Sequence, residues 1–403
     1  MELSKACIEC IETLNHNGYD AYLVGGAVRN YLLNIPIQDY DITTNALPFQ
    51  IKECFNKYNT IDIGIKHGTV AVIINHEQIE ITTYRIDFDY INHRHPREVS
   101  FTNSLKEDCK RRDFTINAMC YHPTTGIVDY FNGQLDLNNK IIRAIGNPMQ
   151  RFDEDALRIL RAIRFSAQLD FLIEPITKQA LFDCKDYLND ISVERIQDEF
   201  FKILLAPNCA NQCFEYAKIL EIFIPELKSL NISHKKKNDT YIALSKSIPS
   251  IPIRFALLTH NLDELDLSNT VRIIMNRLKF SNQIKKQVLH LLSSINSSFK
   301  TKVDIKLFLQ QSDVNFQNVC EFKSCIDESF DYSEVMTMYN DIINNQECYA
   351  IKQLVINGNN IKQLGISDGK ISSILNDCLH QVILENVSNQ LLNLIEYIKS
   401  NYL

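Results

Sequence analysis

The sequence predicts an α+β protein in which a small mixed α/β head precedes a long helical remainder. Short apolar runs bounded by glycine or polar residues, which are typical of β-strands, are concentrated in residues 1 to about 145. From about Gln150 onward, apolar residues recur at helical spacing to the end of the chain. A chain of 403 residues is too long for one hydrophobic core. We therefore expect several domains, with the sheet in the first.

The head elements follow from local patterns of apolar residues, glycines and polar turns. In chain order, these patterns predict a helix in SKACIECIETLNHNG (4–18), a strand in DAYLVGG (20–26), a helix in AVRNYLLN (27–34), a strand in DYDITTN (39–45) and a hairpin in GTVAVIIN and QIEITTYRI around His76-Glu77. Such an alternation of strands and helices is typical of a layered α/β head.

Amphipathic helical patterns dominate the remainder. EDALRILRAIRFSAQL (154–169) and VERIQDEFFKILLA (193–206) place apolar residues at three- and four-residue steps, which predicts two helices with one buried face. The polar segment NISHKKKNDT (231–240) predicts a loop within this part.

Composition limits the classes of function. The net charge of −7 excludes nucleic-acid binding by bulk charge, so a polyanion must bind through local basic clusters or bound cations. No apolar run approaches the length of a membrane span, and MELSKACIEC lacks the pattern of a secretory signal. We expect a cytoplasmic protein with no membrane partner. Cys7 and Cys10 form the only C-x-x-C, which we interpret as two thiols one turn apart on the first helix.

Asp39 and Asp41 form a D-x-D pair at the second predicted strand. Residues i and i+2 of a strand point to the same face, so the two carboxylates should lie side by side. Like charges this close repel one another unless a cation lies between them. Mg²⁺ prefers oxygen ligands and usually takes one or two carboxylates together with substrate phosphates. The pair therefore indicates a Mg²⁺ site, with a solvated strand end as the alternative.

Gly25 and Gly26 stand where a strand gives way to a helix, shortly before the aspartate pair. Glycines at such a junction let backbone N–H groups approach an anion closely. Arg29 follows on the first helical turn, and its guanidinium suits phosphate oxygens. The spacing matches neither the G-x-G-x-x-G nor the P-loop pattern. A triphosphate site beside a metal pair is what nucleotidyl transfer requires.

Glu80, in IEITTYR, is a candidate third carboxylate from the adjacent hairpin. Whether its side chain faces the aspartate pair depends on the sheet register, which the sequence alone does not fix. The alternatives are a solvated position and a cross-strand partnership with Arg85.

Several motifs in a fixed order resemble class II tRNA nucleotidyltransferases, the family of CCA-adding enzymes and their bacterial poly(A) polymerase relatives. The segments that carry the resemblance are LVGGAVRN and DYDI (within 23–42), RRDFTINAM (111–119) and RFDEDALRILRAIRF (151–165). VDYFNGQLDLNNKIIRAIGNP (128–148) and SVERIQDEFFKILLA (192–206) fit the same pattern. The strong part of the resemblance covers residues from about 20 to 206, roughly half of the chain.

The resemblance implies a polymerase-β-like nucleotidyltransferase head followed by an all-α neck, body and tail. On that basis we expect a catalytic head over residues 1–145, a base-reading neck over 146–206, and a body and a tail over 207–310 and 311–403 that bind the acceptor and T arms of tRNA. One residue departs from the family. Asn30 follows Arg29 where an aspartate is usual, so a hydrogen bond to the arginine is possible but an ion pair is not.

The segment EDALRILRAIRF predicts a continuous helix on which Asp155 and Arg158 are neighbours. An aspartate accepts a hydrogen bond from an exocyclic amine, and an arginine donates to ring acceptors, so the two suit cytosine and adenine. Uracil and guanine present a carbonyl in place of the amine. In the family the matching positions select CTP and ATP. The alternative is an exposed ion pair between Glu154 and Arg158.

Four further arginines are candidates for nucleotide binding. Arg161 and Arg164 continue along the predicted helix, where Arg164 falls nearly opposite the base-reading aspartate and is better suited to a structural tie. Arg111 and Arg112 precede Asp113, and the family favours the arginine next to that aspartate as a ligand of the triphosphate or ribose. We expect Asp113 to cap the following segment and to orient this arginine. A solvated basic pair is the alternative.

The segment RIDFDYINHRHPREVSF (85–101) is a polar loop by composition. In the family it corresponds to a flexible loop needed for the switch to adding A, and enzymes that add only CC have it shortened or altered. Its full length here favours complete CCA addition.

The resemblance thus implies a Mg²⁺-dependent enzyme that adds C, C and A to the 3′ end of tRNA from CTP and ATP. A CC-adding or A-adding enzyme and a poly(A) polymerase are the alternatives within the family. A catalytically inactive RNA-binding protein of the same fold is the alternative from another class, and the intact D-x-D pair argues against it.

Overall fold

The computed structural model describes residues 3–91, 93, 95–231, 233–262, 265–310 and 315–403. Contacts within the chain divide it into two compact units, Met1–Lys228 and Ser229–Leu403. The first unit contains the sheet, and the described part of the second unit is helical. The predicted α+β class, with a mixed head before a helical remainder, is confirmed. The four predicted domain boundaries stay a prediction, since contacts separate only the two units.

A mixed sheet forms the centre of the head. Its strands lie in the order β3-β4-β5-β2-β1-β8-β9, where only β2 and β5 run parallel. The strands of the first unit are β1 (Ala21–Val24), β2 (Tyr40–Thr44), β3 (Asn59–Gly64), β4 (Thr69–Ile74), β5 (Glu77–Thr83), β6 (Arg85–Ile91), β7 (His95–Phe101), β8 (Cys120–His122), β9 (Gly126–Val128), β10 (Ile141–Ile142) and β11 (Leu172–Ile173). The predicted strands at β1 and β2 and the predicted β4–β5 hairpin are confirmed. Asn75 and His76 make the hairpin turn with positive φ angles of 51° and 68°.

The segment predicted to be a polar loop at 85–101 is instead a two-stranded antiparallel hairpin of β6 and β7. Asn92 and Arg94 at its tip lie outside the described residues. The alternation in RIDFDYI was the signal for a strand, since apolar residues at every second position are typical of β-structure. The loop prediction was wrong because it gave more weight to the acidic residues of the segment than to this alternation.

Helices pack against the sheet and continue along the chain to the end of the first unit. The helices of the first unit are α1 (Lys5–His16), α2 (Gly26–Leu32), α3 (Pro48–Cys54), α4 (Leu105–Lys110), α5 (Gly133–Asn138), α6 (Pro148–Glu154), α7 (Leu157–Leu169), α8 (Pro175–Asp183), α9 (Val193–Leu205), α10 (Cys209–Glu215) and α11 (Ala217–Leu220). The predictions for α1, α2 and α9 are confirmed. Cys7 and Cys10 are both buried on α1, and burial raises the pKa of Cys7 to about 12.

The continuous helix predicted from residue 154 is wrong at its start, because the chain breaks between α6 and α7. Asp155 ends α6 with an extended backbone, at φ −142° and ψ 100°. Its side-chain Oδ1 accepts a hydrogen bond from the backbone N–H of Leu157 at 3.2 Å. This local bond gives the backbone an alternative to helix, which is why aspartate favours helix ends.

The second unit is built from helices around its own apolar core. They are α12 (His234–Lys246), α13 (Ile251–Thr259), α14 (Leu267–Arg277), α15 (Asn282–Ser293), α16 (Lys302–Gln310), α17 (Phe316–Ile326), α18 (Tyr332–Asn344), α19 (Gly358–Gln363), α20 (Asp368–Ile383) and α21 (Leu391–Tyr402). The loop predicted at 231–240 is mostly the start of α12, although Ile232 lies outside the described residues. Ser233 caps this helix by accepting a hydrogen bond from the Lys236 N–H. Among the described helices, none combines the length and the apolar character that crossing a bilayer demands.

Candidate active site

The aspartate pair lies at the start of β2. Asp39 immediately precedes the strand and Asp41 is its second residue, and both side chains are exposed. The rest of the strand is buried, which fixes the pair to the rigid sheet. Both aspartates line a cavity of about 500 Å³. Partial desolvation in this concave site raises the pKa of Asp41, and Asp39 adds to the rise while Arg112 opposes it.

The glycine pair brings the backbone to the same cavity. Gly25 precedes α2 with φ 74° and ψ −136°, a backbone conformation that residues with a Cβ rarely adopt. A Cβ at this position would lie 3.6 Å from Nη1 of Arg112 and 3.9 Å from Oδ2 of Asp41. The glycine therefore joins the strand to the helix while the backbone stays close to two polar side chains of the cavity.

Arg29 is buried on α2 and is held by amides. It donates to Oδ1 of Asn30 at 2.9 and 3.2 Å and to Oδ1 of Asn117 at 2.7 Å. Asn30 thus orients the arginine by hydrogen bonds where the family usually has a carboxylate. Burial lowers the pKa of Arg29 to about 10, with a further lowering from Arg164. Its charge faces the cavity without an ion-pair partner among the described residues.

Asp108 organises the two arginines of the RRD motif. Its fully buried carboxylate lies 2.9 Å from Nη2 of Arg111 and 3.1 Å from Nη2 of Arg112, and it accepts from Thr43 Oγ1 at 3.0 Å. Burial opposes ionisation, but the two arginines outweigh it and lower the pKa of Asp108 to about 2. The expectation that Asp113 orients Arg112 is wrong, because Asp108 does so from α4.

Asp113 instead holds Arg161 of the neck. Its Oδ2 lies 2.8 and 2.6 Å from Nε and Nη2 of Arg161, and its Oδ1 accepts from the N–H of Phe114 and from Asn117. This bidentate ion pair joins the head to α7, because Arg161 lies 48 residues further along the chain. The prediction that Asp113 caps the following segment agrees with its bond to Phe114.

Arg164 also lines the cavity, so its predicted position opposite Asp155 is wrong. The prediction assumed one continuous helix, and the break at Asp155 removes that assumption. Arg164 pairs with buried Glu199 of α9 at 2.7 Å. The guanidiniums of Arg29, Arg161 and Arg164 lie 4.9, 5.3 and 4.2 Å from the centre of the Phe165 ring. One ring thus contacts three guanidiniums whose charges repel one another.

Asp155 and Arg158 line the cavity together, but each also has a protein partner. Nη2 of Arg195 lies 3.1 Å from Oδ2 of Asp155. Arg158 is nearly buried and forms the predicted ion pair with Glu154 at 2.8 Å. It also donates to the backbone oxygens of Arg151 and Arg111. The proposed base-reading contact and the alternative ion pair are thus compatible.

Glu80 stands beside Asp41 on the neighbouring strand. The parallel β2–β5 register pairs Asp41 with Glu80, which settles the register that the sequence left open. Burial raises the pKa of Glu80, and the charges of Asp41 and Asp39 raise it further. Glu80 is not among the cavity-lining residues, and within the described residues no three acidic, histidine or cysteine side chains form a metal-binding group. The register nevertheless places Glu80 directly beside Asp41, so its role as a third carboxylate stays a prediction.

The cavity collects every candidate residue except Glu80. Its walls carry six arginines and four aspartates: Arg29, Arg111, Arg112, Arg158, Arg161 and Arg164 with Asp39, Asp41, Asp113 and Asp155. Sequence reasoning missed their supporting residues, which are Asp108, Asn117, Phe165, Arg195 and Glu199. Asn117, Phe165, Arg195 and Glu199 all stood inside the quoted motifs, but the ion pairs of Asp155 and Arg164 join distant parts of the chain. A cavity with an excess of arginines and one open carboxylate pair suits a nucleoside triphosphate.

Comparisons with known proteins agree with this chemistry. The family model described as "Poly A polymerase head domain" matches residues 21–143, and "Probable RNA and SrmB- binding site of polymerase A" matches residues 170–230. A model of tRNA nucleotidyltransferase domain 2 matches residues 254–398. The three models follow one another along the chain in the order head, neck and second unit.

Similar proteins cover nearly the same length. A CCA-adding enzyme of Lactobacillus johnsonii is 34% identical over 412 aligned positions, which span 100% of this chain and 98% of the relative. One from Enterococcus faecalis is 41% identical over 301 positions, which span 71% of this chain and 74% of the relative. The crystal structure of the Bacillus stearothermophilus CCA-adding enzyme in complex with CTP matches with a TM-score of 0.80 at 28% identity, covering 98% of this chain and 97% of that one. This protein therefore belongs to the family of CCA-adding enzymes.

Proposed function

We propose that this protein adds C, C and A to the 3′ end of tRNA from CTP and ATP and releases pyrophosphate. The observation that carries the proposal is a single cavity where the D-x-D pair, six arginines and Asp155 come together. Full-length similarity to CCA-adding enzymes supports the same activity. The terminal 3′-OH of the RNA attacks the α-phosphorus of the nucleotide, and the bond to the β-phosphate breaks.

Asp39 and Asp41 are the residues that would hold Mg²⁺. Two exposed carboxylates on one rigid strand end fit an ion that takes one or two carboxylates and completes its shell with phosphates and water. Burial is the main cause of the raised pKa of Asp41, and Asp39 adds to it by a repulsion that a cation would relieve. When bound, the metal activates the 3′-OH and neutralises charge on the phosphates.

Gly25, Gly26 and Arg29 hold the triphosphate, together with Arg161 and Arg164. The support is electrostatic, because Arg29 donates hydrogen bonds to two amides and has no carboxylate partner among the residues that the structure describes. Burial is the main cause of its lowered pKa, and Arg164 lowers the pKa further by a repulsion that a bound polyphosphate would relieve. Arg111 and Arg112, fixed by Asp108, bind the ribose or the phosphates next to it.

Asp155 and Arg158 select the base. Oδ1 of Asp155 accepts from Leu157 and Arg195, whereas Oδ2 accepts from Arg195 alone and keeps room for one more donor. Arg158 uses three of its five N–H groups within the protein, so two remain for ring acceptors. An amine satisfies Oδ2, but a carbonyl leaves two acceptors facing each other, at a cost of roughly 1–3 kcal/mol.

The helical second unit binds the acceptor and T arms of the tRNA by shape and phosphate contacts rather than by base sequence. The cytoplasm, where tRNA matures in bacteria, is the corresponding compartment. A Thermotoga maritima CCA-adding enzyme was solved in complex with tRNA, and its fold matches this chain with a TM-score of 0.69 at 22% identity. The structural similarity supports the fold of this chain, and its membership of the family of CCA-adding enzymes supports tRNA as its partner.

One assay separates full CCA addition from its alternatives. Transcripts that end before the CCA sequence, after its second C and at its final A are each offered CTP, ATP, UTP and GTP with Mg²⁺. Complete CCA addition predicts products longer by three, one and zero nucleotides. A product that stops at CC, growth only after the second C, or a long A tail would each identify a different relative. No incorporation by a folded protein would favour the inactive RNA-binding alternative.

A further inference from the structure

A second cavity, of about 540 Å³, adjoins the first. It shares Gly26, Arg29, Asp39, Asp41 and Arg164 with the first cavity. Asp155 and Arg158 line only the first cavity, whereas Lys202 of α9 lines only the second. The aspartate pair and two arginines are therefore the boundary between a base-reading cavity and a cavity with one further cation.

Apart from Asp39 and Asp41, which the proposed metal would occupy, this boundary has three cations, Arg29, Arg164 and Lys202, for one nearby carboxylate, that of Glu199. Glu199 of α9 is 4% exposed and lies 2.7 Å from Nε of Arg164 and 3.7 Å from Nζ of Lys202, so one carboxylate serves two cations. Arg29 has no carboxylate partner among the described residues. The side chain of Lys202 is half exposed toward the cavity. An anion with several negative charges would balance this group.

The residues that line the two cavities imply one orientation for the nucleotide of the proposed reaction. With its base at Asp155 and its α-phosphorus at Asp39 and Asp41, the β- and γ-phosphates extend to Arg29 and Arg164. We infer that Lys202 contacts the terminal phosphates of the bound nucleotide, and that the second cavity receives the pyrophosphate when the bond between the α-phosphorus and the β-phosphate oxygen breaks. The inference rests on the proposed function, because it requires a nucleoside triphosphate in the first cavity.

The remaining walls of the second cavity allow one competing occupant. Ile35, Pro36 and Leu205 give it an apolar side on which the terminal nucleotide of the RNA could pack. With the aspartate pair occupied by the proposed metal, the cations of Arg29, Arg164 and Lys202 favour the pyrophosphate, which carries more charge in less volume than a nucleotide monophosphate unit. The two occupants predict different kinetic defects for the same variant.

The test compares Lys202→Ala with Lys202→Arg and with Lys218→Ala. Lys218 is an exposed lysine on α11 that lines neither cavity, so its variant controls for loss of a surface charge from the same unit. Glu199 keeps Arg164 as a partner in every variant, so we expect all three to fold. The measurements are the KM for CTP, the KM for the RNA, inhibition by added pyrophosphate, and the Kd for pyrophosphate by calorimetry.

We expect Lys202→Ala to raise the KM for CTP and the Kd for pyrophosphate by about five- to tenfold, the effect of one partly exposed charge-assisted contact. The KM for the RNA and the CTP-over-UTP ratio should not change. Lys202→Arg should restore most of the loss, and Lys218→Ala should behave as wild type. A rise in the KM for the RNA with normal pyrophosphate binding would overturn the inference and assign the cavity to the RNA end. Unchanged values for both ligands would leave Lys202 as a partner of Glu199 only. Absence of incorporation by the wild type would refute the proposed function instead, while calorimetry with pyrophosphate would still report on the cavity.

Discussion

Replacing Asp155 by alanine tests how the protein chooses its base. Oδ2 of Asp155 is the carboxylate oxygen with a single protein donor, Nη2 of Arg195, at 3.1 Å. The variant removes the acceptor that rewards an exocyclic amine and rejects a carbonyl. Arg158 stays in place, since its contacts to Glu154 and to two backbone oxygens do not involve Asp155. Some turnover should therefore survive.

The expected loss of selectivity has two sources. The variant loses one hydrogen bond to the amine of CTP, and it no longer places an acceptor opposite the carbonyl of UTP. A bidentate base contact contributes roughly 1–3 kcal/mol of discrimination in protein–DNA recognition, and we use the same scale here. At 1.4 kcal/mol for each factor of ten, the CTP-over-UTP ratio in kcat/KM should fall by about ten- to a hundredfold. The rate with CTP should fall less than the selectivity does.

The assay is single-nucleotide addition to a tRNA that lacks its CCA end, with CTP and UTP measured separately. Asp186→Ala is the matched control, because Asp186 is an exposed aspartate of the same unit that lines neither cavity. A lower rate with an unchanged CTP-over-UTP ratio would refute the reasoning. Asp155 would then be a structural partner of Arg195, and the base would be read elsewhere.

Four further substitutions test the rest of the site. Asp39→Ala and Asp41→Ala should each abolish incorporation while tRNA binding, measured by filter retention, stays within a few-fold; Mg²⁺-dependent turnover in both variants would contradict the metal assignment. Arg195→Ala should lower the CTP-over-UTP ratio by less than the loss of Asp155 does, because it frees the carboxylate without removing it; an equal rate loss for both nucleotides would indicate a packing role. The carboxylate of Asp108 has a pKa lowered to about 2 against 3.8, so it stabilises the fold above about pH 4 and loses this contribution as the pH falls toward 2. The difference in unfolding free energy between wild type and Asp108→Asn should therefore shrink by about 2 kcal/mol between pH 4 and pH 2, and a constant difference in chemical denaturation would contradict it.

Local spacing carried the predictions that agree with the structure. Asp39 and Asp41 are two residues apart, and Gly25, Gly26 and Arg29 span five positions, so their geometry follows from one strand and one helical turn. The backbone of a short element is fixed by its own residues and a few neighbours. The geometry of such groups can be predicted from a single sequence.

Partners that are distant in the sequence were not predictable in the same way. Asp113 and Arg161 are 48 residues apart, and Asp155 and Arg195 are 40 apart. The sequence around each of these residues does not show which charged residue it pairs with, because the pairing depends on how α7 and α9 pack against the head. A buried carboxylate such as Asp108 is visible only once the sheet and α4 are placed together.

At Asp155, the helix that the local apolar pattern predicts conflicts with the arrangement of the site. The apolar pattern through residues 154–169 is continuous, and it favours one helix. The side chain of Asp155 competes by bonding to the backbone two residues later, and Arg195 holds it from α9. A continuous helix would have left Arg164 nearly opposite Asp155, whereas the break lets α7 direct Arg158, Arg161 and Arg164 into the cavity that Asp155 lines. The same aspartate thus ends one helix, presents an acceptor to the cavity and sets the direction of the arginines beside it.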